Sequence, residues 1–345
     1  MNDTAQVATA RVPKSGHLGA AFALIVLAPL IAEVLSGATR MSFIFAFVPE
    51  MMVWGCGALI IREVVRRWGG GWTSILLLGL GLSVAEEFVI QQTSLAPLPW
   101  PAISAAYGRL WGVNWIYFLF MLGYESVWVV LVPVQVTKLI FAKQRNERWL
   151  GNIGLVISSM VFVLGSFAAW YAWIKRARPM VFHAPVYNAP HATVLAGVLA
   201  IALLALAAYA TRRVARGAVE SRAALPWWLA GLAALVFGAA WYSLMTLIFG
   251  VRSTWPFWIP MIVGVAWAAL AYLVIRYLSS GSGWGDMHRW ALVFGATLLC
   301  MIAGFLGSKA WPHVDLIGKW VLNVVAVVGF LLLAYRIRRR RAPVA

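Results

Sequence analysis

Ten apolar runs, most of them near twenty residues long, follow one another along this 345-residue chain. Their approximate limits are 18–35, 43–61, 72–95, 113–141, 151–174, 191–211, 226–249, 255–278, 289–309 and 316–335. A bilayer has a hydrocarbon core about 30 Å thick and needs about twenty apolar residues per helical crossing. Lipid offers no hydrogen-bond partners, so each crossing segment must satisfy its own backbone by becoming a helix. The sequence therefore predicts an all-α fold, a polytopic transmembrane helix bundle of about ten spans. Composition agrees: 63% of the residues are hydrophobic and 11% charged, where soluble domains carry about 25% charged residues.

Lysine and arginine set the expected orientation, because cytoplasmic loops are enriched in them. With ten spans and an inside N-terminus, twenty basic residues fall on the cytoplasmic side and eight on the other. Both termini are then cytoplasmic. The parts are a segment 1–17, membrane helices one to five over 18–174, an extracytoplasmic loop 175–190, largely apolar helices six to ten over 191–335, and a basic tail 336–345. One loop is discordant, since Lys175, Arg176 and Arg178 lie outside. The polar lead and Glu33 fit an uncleaved first span. Trp72, Trp100, Trp149, Trp227 and Trp290 mark span ends, as interfacial tryptophans do. The expected location is the cell membrane, as a multi-pass protein of a bacterial inner or plasma membrane, with the lipid bilayer as partner. The net charge of +17 follows the loops rather than a groove, so nucleic acid is not an expected partner. Cys56 and Cys300 lie within separate spans and suggest neither disulfide nor zinc site.

Acids inside spans are costly, at about 2.5–3.5 kcal/mol for an aspartate at a helix centre on insertion scales. Here they concentrate in the first four: Glu33, Glu50, the pair Glu86–Glu87 in SVAEEFVIQQ, and Glu125. Scaled at about 1.5 Å per residue, all five fall between the outer surface and the midplane, so one shared pocket is expected. Ser83, Glu87 and Gln91 recur at i, i+4 and i+8, with Ser94 three further on. Asn114, Tyr117, Met121, Glu125 and Trp128 share a face of span four, and Glu50, Trp54 and Gly57 one of span two. Gly55 admits a close neighbour. Glu86, Glu87 and Glu125 are the candidate catalytic residues; Glu33, Glu50, Gln91 and Tyr124 are candidates for lining a substrate or ion pocket. Carboxyls crowded in low dielectric cannot all stay ionised without a counter-cation. Such a group suits a general base, a proton or metal site (a divalent metal is a candidate cofactor), or a pocket for a cationic ligand. A hydrogen-bonded network that only joins helices stands as the alternative.

AEEFVIQQ resembles the first motif of the CAAX-protease and bacteriocin-processing (CPBP, or Abi) family, over roughly residues 43–141. That family comprises intramembrane glutamate-dependent peptidases and non-proteolytic relatives; its pattern is EExxxR, then FxxxH, then a later His with Asn or Asp. Glu86 and Glu87 match the paired glutamates, and the resemblance implies that Glu86 activates water with Glu87 beside it. Gln91 stands in place of the Arg, and Glu125, preceded by Met121, in place of the second-motif His. Set against that reading are a proton- or cation-coupled transporter using the same acids, and a non-catalytic membrane partner whose acids are structural.

All five histidines lie at span ends or in loops; His183 and His191, in the outer loop, are those on the acids' side. IREVVRRWGGGW reads as a cytoplasmic turn with Arg62 and Glu63 at the interface and Gly69–Gly71 ending the helix. APLPWP at 96–101 reads as a proline-rich outer connector and SSGSGWGD at 279–286 as a flexible inner turn.

Overall fold

The computed structural model describes residues 17–97, 107–212, 220–248, 254–306, 308 and 311–340. The reading of segment 1–16, of most of the proline-rich connector with Trp100, of Arg213, Arg216, Arg252 and Lys309, and of the tail from Arg341 lies outside these residues. The fold is an all-α bundle. Among the described residues its main helices are α1 (Leu18–Val34), α2 (Met41–Trp68), α3 (Trp72–Ile90), α4 (Trp115–Ile140), α5 (Asn152–Met180), α6 (His191–Ala210), α7 (Trp227–Thr246), α8 (Trp258–Ser280), α9 (Asp286–Ala303) and α10 (His313–Arg339). Eight of them, all but α1 and α9, are long and apolar enough to cross a membrane.

Helix α4 is the hub, packing against α1, α2, α3, α8 and α9. Helix α5 leans on α2, α6 on α3, and α7 and α9 form the most extensive pair in the second half. The core is continuous through α1–α4, α7, α9 and α10, whereas α5 and α6 leave leucines, valines and phenylalanines such as Leu164, Phe167 and Leu203 exposed. Exposed apolar side chains are the expected surface where the solvent is hydrocarbon.

Close approach of α1 and α2 follows from two residues. Pro29 sits within α1 and has no N–H, so it cannot donate to the Ile25 carbonyl one turn back. Gly55 faces that carbonyl; a Cβ there would lie 2.9 Å from the Ile25 Cα.

The helix ends differ from the sequence expectation at several points. Helix α2 continues to Trp68 and ends on left-handed Gly69, whose neighbour Gly70 donates to the Val65 carbonyl at 2.9 Å, the glycine stop expected at Gly69–Gly71. Arg62 and Glu63 are buried. Glu63 accepts from Arg62, from Arg67 at 2.9 Å and from the backbone of Trp149 at 3.0 Å. Arg62 stacks on Trp149, 3.6 Å from the ring centroid, and donates to the Glu147 carbonyl at 2.6 Å. This clasp ties α2 to the α4–α5 loop, and its charges are buried because each has a partner.

Helix α5 runs on to Met180, so Lys175, Arg176 and Arg178 are helical rather than part of a loop beginning at 175. Arg178 is buried and donates to the carbonyls of Pro97 at 2.9 Å and Pro185 at 3.2 Å. Lys175 reaches Asn188 at 3.2 Å, and Arg176 lies over Tyr171. These three cations, expected on the outer side, therefore hold the surrounding chain together. Helix α10 is less apolar at its start than expected: buried Asp315 accepts from the Ser42 backbone at 2.8 Å, and buried Lys319 donates to the Leu35 carbonyl at 2.8 Å.

Candidate functional site

Each of the four helices carrying the acids widens at, or next to, its glutamate. Turns of π-helical geometry cover Leu30–Val34 around Glu33, Met51–Gly55 after Glu50, Glu86–Ile90 from the glutamate pair, and Glu125–Leu131. The wide turns show in hydrogen bonds five residues apart, Leu35 N–H to Leu30 O and Gln91 N–H to Glu86 O, both 2.9 Å. Turns of this kind are rare and recur at functional sites. An inserted residue rotates everything after it by about 100° relative to a regular helix.

That rotation breaks the stripe expected on α3. Gln91 is partly exposed. Gln92 is buried instead, in a left-handed conformation with φ 57°. The reversal there carries Thr93 and Ser94 back over the helix end. Thr93 Oγ1 donates to Glu87 Oε2 at 2.8 Å and Ser94 Oγ to the same atom at 2.5 Å. Ser94 belonged to the expected stripe; Thr93 did not, and only the backbone turn at Gln92 reveals it.

The acids come together. Glu50, Glu86, Glu87 and Glu125 are buried and Glu33 is partly so. Direct electrostatic interactions link Glu33 with Glu50 and Glu86, Glu86 with Glu87, and Glu125 with Glu33, Glu86 and Glu87. The five acids thus form one cluster across α1–α4. Tyr117 of α4 lies against Glu87 and Glu125, and Ser83 beside Glu125. Glu50 accepts from Thr39, a residue the sequence reading passed over because it precedes α2. Tyr124 points toward α1: its hydroxyl donates to the Ala32 carbonyl within the widened turn, near Glu33. Trp128 turns away to α9 and donates to the Ala296 carbonyl at 2.8 Å.

The partners are hydroxyls, not cations. Among the described residues the ion pairs involve Glu63, Glu147 and Asp286, and none reaches these five acids. Both carboxylate oxygens of Glu86 are buried without a hydrogen-bond partner, as are Glu87 Oε1, Glu50 Oε2 and Glu125 Oε2. His183 and His191 are exposed. Among the described residues no group of three or more His, Cys, Asp and Glu side chains is arranged to hold a metal ion. Chemically, the cluster offers carboxyl oxygens in surplus of donors, enclosed by apolar helices. No family model matches this chain, and neither a curated protein nor a solved structure does.

Proposed function

We propose that this chain is a ten-span cell-membrane protein whose intramembrane carboxylates bind protons or a cation as the working step of its function. The observation that carries the reading is Glu86, whose two oxygens are buried, adjacent to Glu87 and free of any donor. A carboxyl in that position is stabilised by taking up a proton or by meeting a cation. Two further supports come from topology. Helices α1 and α9 occupy the first and ninth apolar runs, although they are too short or too polar to count among the eight long apolar helices. Ten crossings put twenty lysines and arginines on one face and eight on the other, which favours cytoplasmic termini.

The test is spectroscopic and does not require a known substrate. Carboxyl and carboxylate infrared bands of the purified protein are followed on addition of Na+, Mg2+ or Mn2+ and across pH, for wild type and Glu86→Gln. The wild type shows a carboxyl change that the variant lacks, while the variant melts no lower than the wild type. Identical spectra sink the site; a variant that fails to accumulate in the membrane assigns the acid to structure.

A second reading keeps the CPBP resemblance: Glu86 as the water-activating base of an intramembrane peptidase. What favours it is the division of labour within the pair, Glu87 fixed by Thr93 and Ser94 and Glu86 left free. Cleavage of a fluorogenic transmembrane peptide by wild type but not by Glu86→Gln is its expected outcome.

A further inference from the structure

On a wall that holds none of the five acids, α3, α4, α7, α8 and α9 line a half-open cavity of about 1050 Å³. Ordinary small-molecule pockets measure about 300–1,000 Å³, so this one is large. Most of its wall is apolar, formed by residues such as Leu76, Leu80, Leu131, Ala268 and Ile275. The lining runs along α4 from Leu119 to Lys138, roughly 28 Å of helix at about 1.5 Å per residue.

The charges lie at one end. Lys138, Arg276 and Arg289 line the cavity where α4 and α8 finish and α9 begins, and no aspartate or glutamate is among its described lining residues. Lys138 is half-buried and makes no hydrogen bond or ion pair among the described residues. Arg62, Arg66, Arg145 and Arg289 bring charge of its own sign to it, Arg62 itself paired with Glu63 and the last two with Asp286. Arg289 shares Asp286 with Arg145, at 2.9 and 2.5 Å. Among the described residues Arg276 reaches only the Tyr272 hydroxyl, at 3.4 Å. A half-buried ammonium among like charges is costly until an anion joins it. An anion that also fills a long apolar cavity is an amphiphile.

We propose that this cavity binds a phospholipid with an anionic headgroup, its phosphate held by Lys138, Arg276 and Arg289 and its acyl chains along the apolar wall. Under the proposed topology the basic end faces the cytoplasmic leaflet, where anionic headgroups attract juxtamembrane cations. The site needs only that the chain sits in a bilayer, and it stands or falls independently of the acidic cluster.

The experiment uses the full-length protein in mild detergent, titrated with phosphatidylglycerol, phosphatidylcholine or inorganic phosphate, and counts bound lipid by native mass spectrometry. Phosphatidylglycerol is expected to be retained over phosphatidylcholine. Lys138→Gln and Arg276→Gln each weaken that retention by about fivefold for the cation removed, and Lys138→Arg keeps it. Ala268→Trp, on an exposed wall of the cavity, blocks retention and decides the matter if a charge variant does not fold. Equal retention of the two lipids overturns the proposal, as does displacement of phosphatidylglycerol by inorganic phosphate. Retention unchanged in Lys138→Gln and Ala268→Trp overturns it as well.

Discussion

Ser94 closes the end of α3 by donating its hydroxyl to Glu87, Oγ to Oε2 at 2.5 Å. With Thr93 on the same oxygen, it leaves Glu87 anchored on one side while Oε1 stays free. The bracket is local in sequence but needs the left-handed Gln92 to form. Removing both hydroxyls, as Thr93→Val with Ser94→Ala, strands a buried acceptor and is expected to cost about 1–3 kcal/mol. The readout is the melting temperature in detergent; an unchanged melt would show that the hydroxyls do not hold Glu87.

Glu63 and Glu86 are both buried acids, yet they should respond in opposite ways. Glu63→Ala leaves Arg62 buried and uncompensated, and loss of one partner of such a pair costs about 3–5 kcal/mol. Glu86→Gln removes an acid that has no donor, so its melting temperature stays level or rises. Membrane yield and thermal unfolding of the two variants, measured side by side, separate the structural acid from the working one.

Gly55→Ala pushes a methyl group into the Ile25 backbone, where a Cβ has no room. Overpacking of this kind costs about 1–3 kcal/mol, and because backbone is the obstacle, α1 and α2 must separate. A cross-link between cysteines placed on the two helices should form faster in the wild-type background than in the variant. Equal rates would mean that the helices do not depend on this contact.

Topology is open to direct labelling because both native cysteines are buried. Asn188→Cys, in the exposed loop after α5, is expected to react with an impermeant maleimide added outside intact cells. Ser282→Cys, between α8 and α9, should react only after the membrane is opened. Both sites reacting from the same side would overturn the ten-span arrangement.

Periodicity and charge carried much of the fold. The apolar runs coincide with α1–α10 to within a few residues at most ends, because hydrophobic length is a local property of the chain. The acidic cluster was legible for the same reason: glutamates at comparable depths on neighbouring helices have few places to go. What the sequence hid is mostly non-local or conformational. Gln91 was placed on the stripe on the assumption of a regular helix, whereas the turn at Glu86–Ile90 is widened and Gln92 is the buried glutamine. Thr39 reaches Glu50 from a loop, and Asp315 and Lys319 reach the first two helices from the last. The burial of Glu63 was hidden because its ring of donors comes from Arg62, Arg67 and the distant Trp149.

Pro29 and Gly55 carry a consequence for descent. The proline leaves the Ile25 carbonyl without its helical donor, and the glycine lets a second helix settle against that carbonyl. Neither choice is favourable alone, since proline weakens a helix and glycine loosens one. Substituting either residue removes the reason for the other. In any lineage of this chain the two positions are expected to be inherited as a pair, kept together or lost together.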